Sequence, residues 1–245
     1  MNFSSTRSLH RWIREHSQNF LDSGSQGKCY LVDGKVYKFF WKFIDRGFKD
    51  DAEFSRDEIL RFSTIENNTY IWPEDVITVG DTVVGYISEY VDSESLFKIN
   101  PFKTNLDVFA ENIDKSMSDI KIISNSGVLT FDVSYNTMYG DNGFKVIDTI
   151  EYASSNLDSS ELYRKNLRMF LYEVRMFLID GCFDKFVEDN KYLYSLCYDD
   201  VSFLMFIREF KRMLSEREGY EISTLGDAKN SINFTKVRRY VRELY

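Results

Sequence analysis

FLDSGSQGKCYLVDGKVYKFF, residues 20–40, decides the fold of the first third of the chain. Cys29, Leu31, Val36 and Phe39 are types that strands favour, and Tyr30, Val32 and Tyr37 alternate with them. Asp33-Gly34 separates the two runs, and that dipeptide suits a two-residue hairpin whose central residues both need positive φ. The stretch predicts strand, glycine loop, strand, Asp-Gly turn, strand. Downstream, residues 49–66 predict a helix with Ile59, Phe62 and Ile65 facing inward. YIWPEDVITVGDTVVGYISEYV, residues 70–91, predicts two more strands around Gly80-Asp81. Upstream, Leu9, Trp12, Ile13 and His16 share one face of a helix over 7–16, with Arg7, Arg11 and Arg14 elsewhere on it. Such a stripe docks a helix onto its own domain. A basic amphipathic surface for a membrane or a partner is the sharper alternative, for which the stretch is short.

From about residue 104 the period changes. Leu106, Phe109, Ile113, Met117 and Ile120 recur at intervals of three and four, and Gly127 is a stop signal. Residues 128–150 break into short strand-like runs, VLTF, TMY and FKVID. Leu162, Leu167, Phe170, Leu171, Val174, Phe177 and Leu178 then form a wide helical stripe, with further helices expected over 201–216 and 233–244. No internal repeat or low-complexity tract interrupts this order. The expectation is an α+β protein, sheet-rich first and helical afterwards.

Composition bounds the function. Apolar residues are 43% of 245, with 21 Phe, 16 Tyr and 3 Trp, enough to bury a sizeable core. A net charge of −8 argues against a general nucleic-acid binder, though not against a local basic patch. Cys29, Cys182 and Cys197 are odd in number and lack CxxC spacing, which disfavours a disulfide framework or structural zinc and fits reduced thiols in the cytoplasm. No run of about 18 apolar residues is present to span a membrane. His10 and His16 are the only histidines and neither lies near a nucleophile motif, so Ser/His/Asp and Cys/His hydrolases fall away.

The residues that could carry chemistry begin at Asp22-Ser23-Gly24-Ser25-Gln26-Gly27, which has the outline of GxGxxG with Asp at its first position. Glycines there let backbone N–H groups approach phosphate oxygens. A dinucleotide-binding reading requires a helix next, and a strand follows instead. A Walker A loop requires GK[ST], which is absent. Lys38, on the strand behind this hairpin, can reach phosphates as a point charge. Glu58 is its candidate partner from the following helix, with Glu53 the alternative. Asp132 and Asn136 lie at the end of one apolar run and Asp148 at the end of the next. Such oxygen donors suit a hard cation held together with phosphate oxygens. Singly, each is also an ordinary turn residue.

Taken in order, DSGSQG, VYK, DEIL, GYISEYVDSESL, TFDVSYN and VID resemble the protein-kinase-like superfamily over roughly residues 20–151. The resemblance implies a bilobal protein-kinase-like fold. Residues 1–91 would form an antiparallel-sheet N-lobe with one main helix and the N-terminal helix, and residues 92–245 a mostly helical C-lobe. It implies that Gly24, Ser25 and Gly27 cover the phosphates of ATP, that Cys29 sits over the adenine, and that Lys38 contacts the phosphates and pairs with Glu58. Glu89, Tyr90 and Val91 would form the hinge, with Ile87 as gatekeeper. Asp132 would be the catalytic Asp, and Asn136 and Asp148 the Mg2+ ligands. Thr130-Phe131-Asp132 stands where the family has His-Arg-Asp, Asn136 follows four residues after Asp132 rather than five, and no Ala-Pro-Glu segment is present. The expected activity is an ATP- and Mg-dependent Ser/Thr protein kinase of compact bacterial type, acting in the cytoplasm on a protein substrate. The alternatives are a nucleotide- or partner-binding pseudokinase and a small-molecule kinase of the aminoglycoside or choline type.

Overall fold

The computed structural model describes residues 1–45 and 53–232. The chain divides into two compact units. The first comprises Met1–Glu66, Tyr70–Asp92 and Ile147–Glu151. Its elements are β1 (Asn2–Phe3), α1 (Thr6–Glu15), β2 (Phe20–Ser23), β3 (Gly27–Val32), β4 (Lys35–Phe40), α2 (Trp41–Ile44), α3 (Arg56–Ile59), β5 (Pro73–Val79) and β6 (Thr82–Glu89). The six strands form one sheet in the order β1-β5-β6-β4-β3-β2. Only β1 and β5 are parallel. The Asp33-Gly34 hairpin forms as expected, with φ of 49° and 75° at its two central residues.

Alternation along β4 separates the two faces of this sheet. Phe39 points to one face, where it is buried with Leu9 of α1, Phe3, Tyr30, Ile77 and Val84. Phe40 points to the other and joins Ile59, Val76, Tyr86 and Ile150. The apolar stripe of α1 is consumed by the first cluster, so this helix is docked on its own sheet. At roughly 25 cal/mol per Å2, burying a side chain such as Leu9 contributes about 2 kcal/mol.

The helix expected over 49–66 is shorter within the described residues: α3 is a single turn, and residues 60–64 are turns. The ladder breaks at Arg61, whose N–H turns to the Glu58 carbonyl at 3.5 Å, and the turns that follow keep i→i−3 bonds, with the N–H and Oγ of Ser63 both donating to the Leu60 carbonyl at 3.1 and 2.8 Å. Ile59 and Phe62 are nonetheless buried, while Ile65 is only half-buried. The expected helix over 233–244 lies outside the described residues, as does the start of the 49–66 segment.

The second unit comprises Asn67–Thr69, Ser93–Val146 and Tyr152–Tyr245. It holds β7 (Glu94–Ser95), α4 (Leu106–Asn125), β8 (Val128–Leu129), α5 (Val133–Asn136), β9 (Thr137–Gly140), β10 (Gly143–Val146) and β11 (Ala153–Ser154). After them come α6 (Ser159–Ile179), α7 (Asp184–Glu188), α8 (Lys191–Tyr198) and α9 (Phe203–Glu218). Asn105 and Asp158 cap α4 and α6 by accepting the first free N–H groups of each helix. Helix α4 ends just before Gly127, whose φ is +75°. Phe109 of α4, Phe144 of β10, and Phe170 and Phe177 of α6 form an aromatic core, with ring centroids 5.1–5.2 Å apart. The architecture is α+β, an antiparallel-rich sheet in the N-terminal part and a mostly helical remainder.

Candidate functional site

In the first unit the chemistry gathers on the sheet face away from α1. Lys38 stands directly opposite Cys29 of β3 and Tyr86 of β6. Directly paired residues project to the same face, so these three side chains form one row across the sheet. The Lys38 ammonium lies 2.5 Å from Asp148 Oδ1 and donates to Gln26 Oε1 at 2.8 Å. Its side chain is 7% exposed, against 26% for Asp148. The Tyr86 hydroxyl donates to the same Asp148 oxygen at 3.0 Å. Gln26 in turn donates to Glu151. A lysine ammonium has three donors, and two are used among the described residues, so a third can take an anion.

The expected Lys38–Glu58 pair does not form. Glu58 is exposed, and both the backbone N–H and the hydroxyl of Ser55 donate to its carboxylate at 2.7 Å. This is a capping box, and it holds the Glu58 pKa below the usual carboxylate range. Glu53 pairs with Lys42 instead. With α3 only one turn long, Glu58 is an N-terminal capping residue rather than a mid-helix carboxylate free to reach the sheet. The counter-charge for Lys38 comes from Asp148.

Gly24 and Ser25 are exposed in the loop between β2 and β3, closed by a Gly24 N–H to Gly27 carbonyl bond of 3.1 Å. The Trp41 indole donates to the Gly24 carbonyl at 2.9 Å. Gly27 lies against β4, where an added Cβ would come within 2.0 Å of the Phe39 carbonyl oxygen. Burial pushes the Cys29 thiol up to about 11, with the neighbouring Lys38 charge acting in the opposite direction. Cys29 is therefore a neutral thiol at neutral pH. Glu89 ends β6 opposite Lys35, and Val91 follows it. The Tyr90 N–H between them donates to the Gly34 carbonyl at 3.2 Å. Ile87 is opposite Tyr37 and belongs to the cluster on the α1 face, so it does not share the face of Lys38. Tyr86, one residue earlier, does.

In the second unit Asp132 is exposed at the start of α5, and the Asn136 side-chain amide donates to its carbonyl at 3.0 Å. That bond uses the nitrogen of Asn136 and leaves Oδ1 as an acceptor. The loop before Asp132 is held from α6 by Asn166, which is fully buried. Its Oδ1 accepts from the Thr130 N–H at 3.0 Å and the Thr130 hydroxyl at 3.1 Å. Its Nδ2 donates to Ser124 Oγ at 2.9 Å and to the Val128 carbonyl at 2.8 Å. Asn166, Gln26 and Tyr86 were not singled out in the sequence. An Asn in the apolar stripe of α6 is the signal that could have marked the first.

Backbone strain falls on the same two carboxylates. Among the described residues only Asp33, Asp132 and Asp148 have positive φ without being glycine. Asp33 belongs to its hairpin turn, while Asp132 and Asp148 have φ of 48° and 58° at the loops that follow β8 and β10. The left-handed region costs a non-glycine residue about 1 kcal/mol or more, and such costs concentrate at functional positions.

The donor chemistry fits magnesium. In the first unit Asp148 offers carboxylate oxygens, and in the second Asn136 offers an amide oxygen; each by itself is a hard donor of the kind this ion takes. No cluster of three or more His, Cys, Asp or Glu suited to a metal occurs among the described residues.

Comparison with known proteins adds little. No family model matches the chain, and no curated protein matches it. A solved structure of the CAK complex from Chaetomium thermophilum bound to ATP-gamma-S aligns over 60% of this chain and 51% of that one, at 12% identity and a TM-score of 0.42. The chain thus spans about half the length of the solved chain it aligns with.

Proposed function

We propose that this chain is an ATP- and magnesium-dependent phosphotransferase that passes the γ-phosphate to a Ser or Thr hydroxyl of a protein. The observation that carries this reading is the buried Lys38 ammonium set against Asp148 on the sheet behind the glycine loop. A buried cation with one donor unused among the described residues can anchor phosphate, and the ordered motifs from DSGSQG to VID supply its setting. Lys38 binds the α- and β-phosphates, while the Gly24–Gly27 loop covers them with backbone N–H groups. Asp148 and Asn136 would hold magnesium, which would neutralise phosphate charge. Asp132 accepts the proton of the acceptor hydroxyl as the new oxygen–phosphorus bond forms and the bond to ADP breaks. Tyr86 holds one oxygen of Asp148 in place and Asn166 holds the loop that presents Asp132. Phe131 and Tyr135, 40% and 75% exposed on either side of Asp132, favour an extended peptide as acceptor over a small enclosed molecule.

Incubation of the purified chain with labelled ATP and magnesium, followed by mass spectrometry of the chain and of an added generic protein substrate, tests the reading. Phosphate should appear on Ser or Thr. Asp132→Asn should lower turnover by at least about a hundredfold with little change in ATP affinity, because its interaction belongs to the transition state. Lys38→Met should shrink the rise in melting temperature that ATP and magnesium produce. ATP binding without any transfer by wild-type protein would replace this reading with a pseudokinase.

A further inference from the structure

The sheet face that carries α1 has a second feature that phosphotransfer does not use. Arg7, His10 and Arg14 of α1 and Lys28 of β3 line a groove of about 550 Å3. Its apolar lining comes from Ile13, Tyr30 and Ile44. Among the described residues no Asp or Glu lines it, although the chain has a net charge of −8. Among the described residues neither Arg7 nor Arg14 forms an ion pair, and the Lys28 ammonium lies 5.1 Å from the centroid of the Trp41 ring. His10 is fixed by its Nε2 contact of 3.0 Å with the Phe43 carbonyl. Cations gathered in a concave site repel one another and concentrate a positive potential that an anion relieves.

Three sources of anion can be separated on this geometry. A membrane would need the whole apolar face of α1, and most of it is spent on the sheet: Leu9 is fully buried and Trp12 packs on the same cluster, which leaves only half-buried Ile13 at the groove. Single-stranded nucleic acid would need open aromatic faces for stacking. Here Trp12 is stacked on His16 at 4.0 Å, and Tyr30 is 4% exposed. A peptide needs only what is present, guanidinium forks for carboxylate or phosphate and an apolar floor for a neighbouring side chain.

We propose that this groove binds an acidic peptide segment of a partner protein, with Arg7, Arg14 and Lys28 holding glutamate or phosphoserine and Ile13 and Ile44 receiving an adjacent leucine-sized side chain. The inference is independent of phosphotransfer.

Fluorescence polarisation of the full chain with three labelled peptides tests it. They share one leucine-containing sequence and carry paired phosphoserines, paired glutamates or paired serines. Either acidic peptide should bind at least about tenfold tighter than the serine peptide, and the stronger of the two identifies the source of the charge. The Arg7→Glu/Arg14→Glu double variant, at exposed positions, should lose about tenfold or more of that affinity. Arg11→Glu, on the same helix but outside the groove, should stay within about twofold. Lys38→Met should bind the peptides like wild type, which separates this result from any failure at the nucleotide site. Equal weakening by the Arg11 and the double variants would overturn the proposal, as would equal binding of all three peptides. Groove-dependent binding of phosphatidylserine vesicles or oligouridylate in preference to the peptides would also overturn it.

Discussion

Lys38 and Asp148 are unequal partners, because the ammonium is almost out of water while the carboxylate keeps about a quarter of its exposure. Removing the carboxylate strands a buried cation. Gln26 then offers the ammonium only a neutral oxygen. Removing the ammonium leaves a carboxylate that water and Tyr86 can still solvate. Breaking a buried pair from one side typically costs about 3–5 kcal/mol, and the partial exposure of Asp148 lowers the expectation for Asp148→Asn to about 2 kcal/mol. Lys38→Met fills similar volume with apolar atoms and should cost clearly less. Urea unfolding of both variants without nucleotide checks the order, and a more damaging Lys38→Met would show that the ammonium does not depend on Asp148. The residue types of this pair were visible in the sequence, but their pairing was not. Glu58 was the nearer candidate in the chain, yet Ser55-Arg56-Asp57-Glu58 has the spacing of a capping box, the signal that could have marked Glu58 as a cap.

At the scale of elements, period and turn chemistry carried most of the reading. The hairpin at Asp33-Gly34, the strands around Gly80 and the long helices α4 and α6 each follow from a local rule of spacing or φ. Helix α3 did not follow, because its ladder turns to i→i−3 bonds at Arg61, a local change that apolar period does not register. The side of the sheet on which Ile87 and Tyr86 fall was lost for a similar reason, since an error of one residue in register exchanges the two faces. The glycine loop allows a sharper separation of fold from function. An added Cβ at Gly27 would meet the Phe39 carbonyl carbon at 2.8 Å and its oxygen closer still, so Gly27→Ala must push β3 from β4. An added Cβ at Gly24 meets nothing within 4 Å. Gly27→Ala should therefore cost roughly 2 kcal/mol or more, and Gly24→Ala should stay within about 0.5 kcal/mol. If the loop covers phosphates, Gly24→Ala should still weaken ATP binding measured by calorimetry. Unchanged affinity in a fully stable Gly24→Ala protein would remove Gly24 from the nucleotide site.

Across the whole molecule, burial sets a common limit on the alkaline side. The Cys29 thiol is raised from 9.0 to about 11 in the first unit, and the Cys197 thiol to about 12 in the second, each chiefly by desolvation. Tyr86 is raised well above 10.0, first by burial and then by the Asp148 charge. Every one of these groups keeps its proton in the folded chain at a pH where the unfolded chain releases it. Above pH 9 the folded state thus binds more protons, so its stability must fall as pH rises. The stabilising contribution is fully present below pH 9, and the Cys29 share is lost as pH climbs through about 11. Each proton so linked changes stability by about 1.4 kcal/mol per pH unit once the unfolded thiol is ionised. Urea midpoints measured stepwise from pH 8 to roughly 10.5 should therefore decline, with a steepening beyond 9 as the unfolded thiols ionise. A Cys29→Ala/Cys197→Ala protein starts lower, because two buried sulfurs are removed, but its decline with pH should be shallower. The slope, not the starting value, carries the result: parallel slopes in the two proteins would mean that neither thiol is shielded enough in the folded chain to resist ionisation.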